Sequence, residues 1–68
     1  MDIDIRESIK NNFKGSDIKE IKESIESSIK DEDEITLPGL GVFFEILWNN
    51  SSKENQESIL KNIKKGLS

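Results

Sequence analysis

Twelve residues in the middle of the chain constrain its fold more than any others: Leu37-Pro38-Gly39-Leu40-Gly41-Val42-Phe43-Phe44-Glu45-Ile46-Leu47-Trp48. They hold Phe43, Phe44 and Trp48, leaving Phe13 as the one aromatic residue elsewhere, and they carry a single charge, Glu45. Everything around them is polar, charged and punctuated by isoleucine. An apolar insert in such a setting is either the centre of a core or a surface that something else covers. On helical geometry Leu40, Phe43, Phe44, Leu47 and Trp48 share one face, with Val42 and Ile46 on another. Apolar groups then wrap most of the circumference, as in a central, buried helix. Thr36 can cap this helix, and Pro38 fits its first turn, where a missing N–H costs nothing. A strand after the Pro-Gly pair is the competing reading, favoured by the aromatic and β-branched residues. Phe43-Phe44 and Ile46-Leu47-Trp48 break strict alternation, and the helix is preferred.

The flanks repeat at helical spacing. Ile5, Ile9 and Phe13 stand four apart, with Asp2 or Asp4 as cap and Lys14-Gly15 as the stop, the glycine supplying a left-handed turn. Ile18, Ile21, Ile25 and Ile29 form the cleanest stripe. It opens on Asp17 and Glu20 at capping-box spacing, with Ser16 as an alternative cap. Near the C-terminus Ser51 and Glu54 make an S-x-x-E box. Beyond it Ile59, Leu60, Ile63 and Leu67 are expected to face inward, Lys61, Lys64 and Lys65 suit a last turn, and Gly66 stops the helix. The fold expected is all-α: a small single domain over 1–68, a bundle of about four short helices at 3–13, 17–30, 38–49 and 52–65. An acidic linker, 31–36, precedes the apolar central helix, against which the other three lay their stripes.

At 68 residues the chain is one domain at most, near the lower limit for folding without staples. It has no cysteine and no histidine, so thiolate sites, the commonest general base and the commonest transition-metal ligand are all missing. A core of this size contributes only about 3–5 kcal/mol of net stability. Partner binding or self-association therefore bears on whether it stays folded. The net charge of −4 is uneven. Residues 1–34 carry eleven acids and six bases, a balance of −5, and residues 35–68 carry three acids and four bases, a balance of +1. With a pI near 4.7 the chain lacks the basic signature of a nucleic-acid binder. Met1-Asp2-Ile3-Asp4 is acidic where a secretory leader is basic, and the longest apolar run is far shorter than a membrane span. A cytosolic protein, with no membrane partner, is the expectation.

Candidate chemistry is sparse. Asp31-Glu32-Asp33-Glu34 offers oxygen ligands to a hard cation, but it lacks the glycine and distant glutamate of a calcium loop and reads as a solvated, self-repelling linker. Gly39-x-Gly41 is followed by Phe44 where a dinucleotide loop needs glycine, and by no phosphate-binding lysine. Its glycines suit a turn and close backbone approach instead. Glu45 is the one carboxylate in an apolar segment, where burial would raise its pKa; the plainer reading is a solvent-facing position. The serines have no base to activate them. Asn49-Asn50-Ser51-Ser52 reads as a helix break. No catalytic, cofactor or metal residues are assigned, and no enzyme is expected. Two binding sets remain. Phe43, Phe44 and Trp48 have the character of partner-binding anchors, although core positions account for them as simply. Lys53, Lys61, Lys64 and Lys65 are the candidate nucleic-acid contacts, although the last three are also what the C-terminal end of any helix favours.

The apolar insert and its surroundings resemble a known family. Leu-Pro-Gly-Leu-Gly-Val-Phe-Phe-Glu-Ile-Leu-Trp at 37–48, then Asn-Asn-Ser and a final amphipathic segment, is similar to the small acid-soluble spore proteins of the I type from endospore-forming bacteria. The opening Met-Asp-Ile-Asp-Ile-Arg and the acidic stretch before the insert match as well, so the likeness covers essentially the whole chain. It implies a non-enzymatic protein made in the developing forespore during sporulation and kept in the spore core, structural or interacting in role, and it supplies no functional residues to carry over. The glycine-rich and Thr-Lys-Arg segments of the DNA-coating α/β-type spore proteins are missing, so DNA coating is not implied. Acid solubility has a physical basis: with its fourteen acids protonated the chain keeps ten cations, and like charge keeps chains apart. The partner expected is a second copy or another spore protein. An auxiliary DNA-binding role through the C-terminal lysines and a docking module built on the Phe43/Phe44/Trp48 face are the alternatives.

Overall fold

The structure, a computed structural model, describes residues 4–32 and 34–68. Its elements are α1 (Ile5–Phe13), α2 (Ile18–Asp31), a 3-10 turn (Glu34–Thr36), α3 (Leu37–Asn49) and α4 (Lys53–Leu67), with no strand among the described residues. The all-α expectation holds, and the apolar insert is the helix α3.

Local chemistry explains each start. Asp4 caps α1 by accepting the Glu7 N–H at 3.1 Å, and Asp2 lies outside the described residues. Asp17 caps α2 by accepting the Glu20 N–H at 2.8 Å. The expected left-handed glycine after α1 is absent: no described glycine has positive φ, Lys14 keeps right-handed helical angles, and the Ser16 N–H closes the turn onto the Phe13 carbonyl at 3.0 Å. A tightened last turn satisfies the carbonyl without any special conformation.

The acidic stretch is more structured than a self-repelling linker. Asp31 belongs to α2, Glu32 ends it in the left-handed region at φ 50°, and Glu34 opens the 3-10 turn; Asp33 is outside the described residues. The Thr36 hydroxyl donates to the Ser28 carbonyl at 3.3 Å and makes no cap to α3, so it clamps the turn back onto α2. Hydrogen bonds of this kind outweigh repulsion between exposed charges that solvent and salt screen.

α1 lies along α3. A Cβ built on Gly39 would stand 3.4 Å from the Ile9 Cδ1, so this glycine serves the close approach of two helices. One turn on, Phe13 meets Phe43 edge-on, ring centroids 5.1 Å apart and planes at 70°, the geometry that aromatic quadrupoles favour. Val42, at 5% exposure, is the one buried hydrophobic residue among those described.

α4 departs from expectation in three ways. Its cap is Ser52, which accepts the Asn55 N–H at 3.1 Å, whereas the Ser51 hydroxyl donates back to the Leu47 carbonyl. The helix runs through Gly66 to Leu67, because glycine weakens a helix by only about 1 kcal/mol and does not forbid it. Of its apolar stripe only Ile59 is half-buried, while Leu60, Ile63 and Leu67 are exposed at 52%, 42% and 80%. α4 is tied to α3 by the Gln56 side-chain amide, which donates to the Trp48 carbonyl at 3.0 Å.

Candidate protein-binding groove

The isoleucine stripes of α1 and α2 converge on α3 without closing over it. They leave an open apolar groove of about 810 Å³, walled by Ile9 and Phe13 of α1, Ile21 and Ile25 of α2, and Leu40, Phe43, Phe44 and Leu47 of α3. Its rim is charged, with Glu7, Lys10 and Lys14. A second hollow of about 290 Å³ lies beside it, lined by Phe44, Trp48 and Leu60 together with Glu45 and Asn49. Phe44 borders both, so the two form one continuous apolar band.

The aromatic candidates divide between these surfaces. Phe43 is half-buried and rests edge-on against Phe13 in the groove. Phe44 is 42% exposed and stacks on half-buried Trp48, centroids 6.0 Å apart and planes at 25°. Phe44 and Leu47, both exposed, are therefore the groove residues a partner meets first. Lys53, Lys61, Lys64 and Lys65 are all exposed on α4. They do not form one patch: Lys53 begins the helix and the other three end it, about 12 Å further along the axis at the closest. Glu54 and Glu57 lie between them.

Glu45 is exposed, as its plainer reading required, and it has a partner. The Arg6 Nε donates to both carboxylate oxygens, at 3.1 and 3.0 Å. That hydrogen bond, with the attraction behind it, raises the Arg6 pKa above its ordinary value. Sequence reasoning missed Arg6. The available signal was its singularity, since it is the chain's one arginine and Glu45 the one acid of the apolar segment. No three acidic side chains among the described residues converge as a metal site, and no described helix is long and apolar enough to cross a membrane.

Fold and groove together define a small, acidic, all-α protein that presents apolar surface to its surroundings. The family model for small, acid-soluble spore protein I matches residues 3–67, and the chain belongs to that family. It is 34% identical over 67 residues to the small, acid-soluble spore protein I of Halalkalibacterium halodurans, covering 98% of both chains. It is 33% identical to that of Bacillus subtilis, covering 98% of this chain and 94% of the relative. No solved structure matches.

Proposed function

We propose that this chain is a non-enzymatic protein of the spore core, made in the forespore during sporulation, and that it works by contact with another protein chain at the groove of α1, α2 and α3. Family membership supports the spore setting. One observation carries the contact role: apolar side chains gather on an open surface, and Val42 alone among the described hydrophobic residues is buried. Exposed apolar bands of this kind mark interaction sites, and aromatic side chains such as Phe44 dominate their energetics.

The test places a photo-crosslinking amino acid at Leu47 in sporulating cells, with Lys22, an exposed polar position on α2, as control. Protein crosslinks from position 47 and none from 22 support the reading. Silence at position 47 overturns it.

The auxiliary DNA-binding alternative uses Lys53, Lys61, Lys64 and Lys65. Its lysines are split between two ends of a helix, which suits a phosphate backbone poorly, and affinity for duplex depends on neutralised phosphates. Titrating isotope-labelled chain with a short duplex separates the two. Amide shifts over 53–65 that fade with salt would put DNA first, and a spectrum that ignores duplex removes it.

A further inference from the structure

The chain exposes more surface than a compact monomer of its mass. Its accessible area is 6101 Å², where a folded 7.8 kDa protein presents about 4,400 Å², an excess of about 1,700 Å². The radius of gyration agrees, at 13.2 Å against about 11 Å for a compact domain of this length. A standard interface takes on the order of 800 Å² from each partner, and obligate homodimers take more. The uncovered area is of the size a homodimer buries.

The chain also carries both halves of such an interface. One half is the groove. The other is α4, an amphipathic helix whose Leu60, Ile63 and Leu67 fall at i, i+3 and i+7 on one edge and are all exposed. Fifteen residues make it about 22 Å long. Within its own chain that edge lies outside the groove. The Asn50–Ser52 turn is capped, and Gln56 ties the first turns to Trp48. Leu60 reaches only the small hollow beside Phe44.

We infer that a second copy of this chain covers the groove, each copy laying the Leu60/Ile63/Leu67 edge of α4 into the groove of the other about a two-fold axis. Helix-in-groove recognition supplies the mode, and the two-fold makes the same pair of contacts twice, so the assembly closes at two. The inference rests on the contact role proposed above and names its partner.

Sedimentation equilibrium on the purified full chain tests it. The expected mass rises with concentration from 7.8 kDa to twice that value. Ile63→Glu and Leu67→Glu each hold the chain at monomer mass with unchanged helix content, because both side chains are exposed within their own chain. Ile18→Glu dimerises like the parent, since Ile18 is 86% exposed and does not wall the groove. A parent chain that stays at monomer mass at every concentration overturns the inference, as do α4 variants that dimerise as tightly as the parent. Crosslinks from position 47 to a different spore protein, with a monomeric parent, remove the second copy and leave the contact role standing. A monomeric parent with no crosslink removes both.

Discussion

The guanidinium of Arg6 grips the carboxylate of Glu45 across 39 positions of sequence, and this bond fixes where the first turn of α1 lies on the middle of α3. Gly39 with Ile9 and Phe13 with Phe43 fix the rest of that seam. Both members of the ion pair are solvent-exposed, so its effect is on register more than on stability.

The pH response of this pair has a definite sign. Glu45 raises the Arg6 pKa, and a cation whose folded value is raised contributes fully below its unfolded value and loses that contribution only as pH climbs past it. For arginine that lies beyond any working pH. In Arg6→Lys the same contribution should fade as pH passes through about 10.4. Thermal melts of the two proteins should run parallel near neutrality and diverge in alkali. High salt should weaken both alike.

Phe43 and Phe44 are neighbours with different duties. Phe43→Ala removes a half-buried ring and its edge contact with Phe13, and should destabilise by about 2 kcal/mol. Phe44→Ala removes a ring that is 42% exposed, together with its stack on Trp48, and should cost about 1 kcal/mol. Denaturant melts at one low concentration give both numbers. Equal losses would mean that Phe44 is as buried as its neighbour.

The helix caps can be tested one atom at a time. Asp17→Ala and Ser52→Ala each remove the acceptor of a capping bond, and each should cost about 1 kcal/mol. Ser51→Ala should cost less, because its hydroxyl donates to the Leu47 carbonyl at the end of α3, which the Asn50 N–H already serves. A larger loss at Ser51 than at Ser52 would shift the start of α4 by one residue.

Two glycines in α3 should respond unequally to alanine. Gly41 has nothing within reach of an added Cβ, whereas Gly39 has Ile9 at 3.4 Å. Neither has positive φ. Gly41→Ala should stabilise by about 0.5–1 kcal/mol through lower chain entropy. Gly39→Ala should gain less, since the Ile9 methyl must accommodate it.

Periodicity made the helices legible. Ile18, Ile21, Ile25 and Ile29 announced α2, and the broken alternation at Phe43-Phe44 announced α3 as a helix. Caps came through to within a residue: Asp17 was read directly, but Ser51 and Ser52 are the same residue type and only geometry separates them. The pattern says which face of a helix is apolar and not what covers it. For that reason Leu60, Ile63 and Leu67 read as inward-facing when they are exposed. The same limit applies to the site. Phe43, Phe44 and Trp48 were picked out by composition, whereas their division between a groove and a smaller hollow depends on where α1, α2 and α4 come to rest. Pairing over long separation, as in Arg6 with Glu45, leaves no periodic trace.

The tether of α4 has a consequence for motion. One side-chain amide on the Trp48 carbonyl and a tight serine turn hold this helix to the rest, whereas α1 is stitched to α3 at both ends. Elements with few tertiary ties open on their own, at free energies below that of global unfolding. The last helix is thus a lever on a short hinge. Its amide hydrogens should trade with solvent earlier than those of α3, and any partner that seizes it would slow that exchange without having to touch the remainder of the chain.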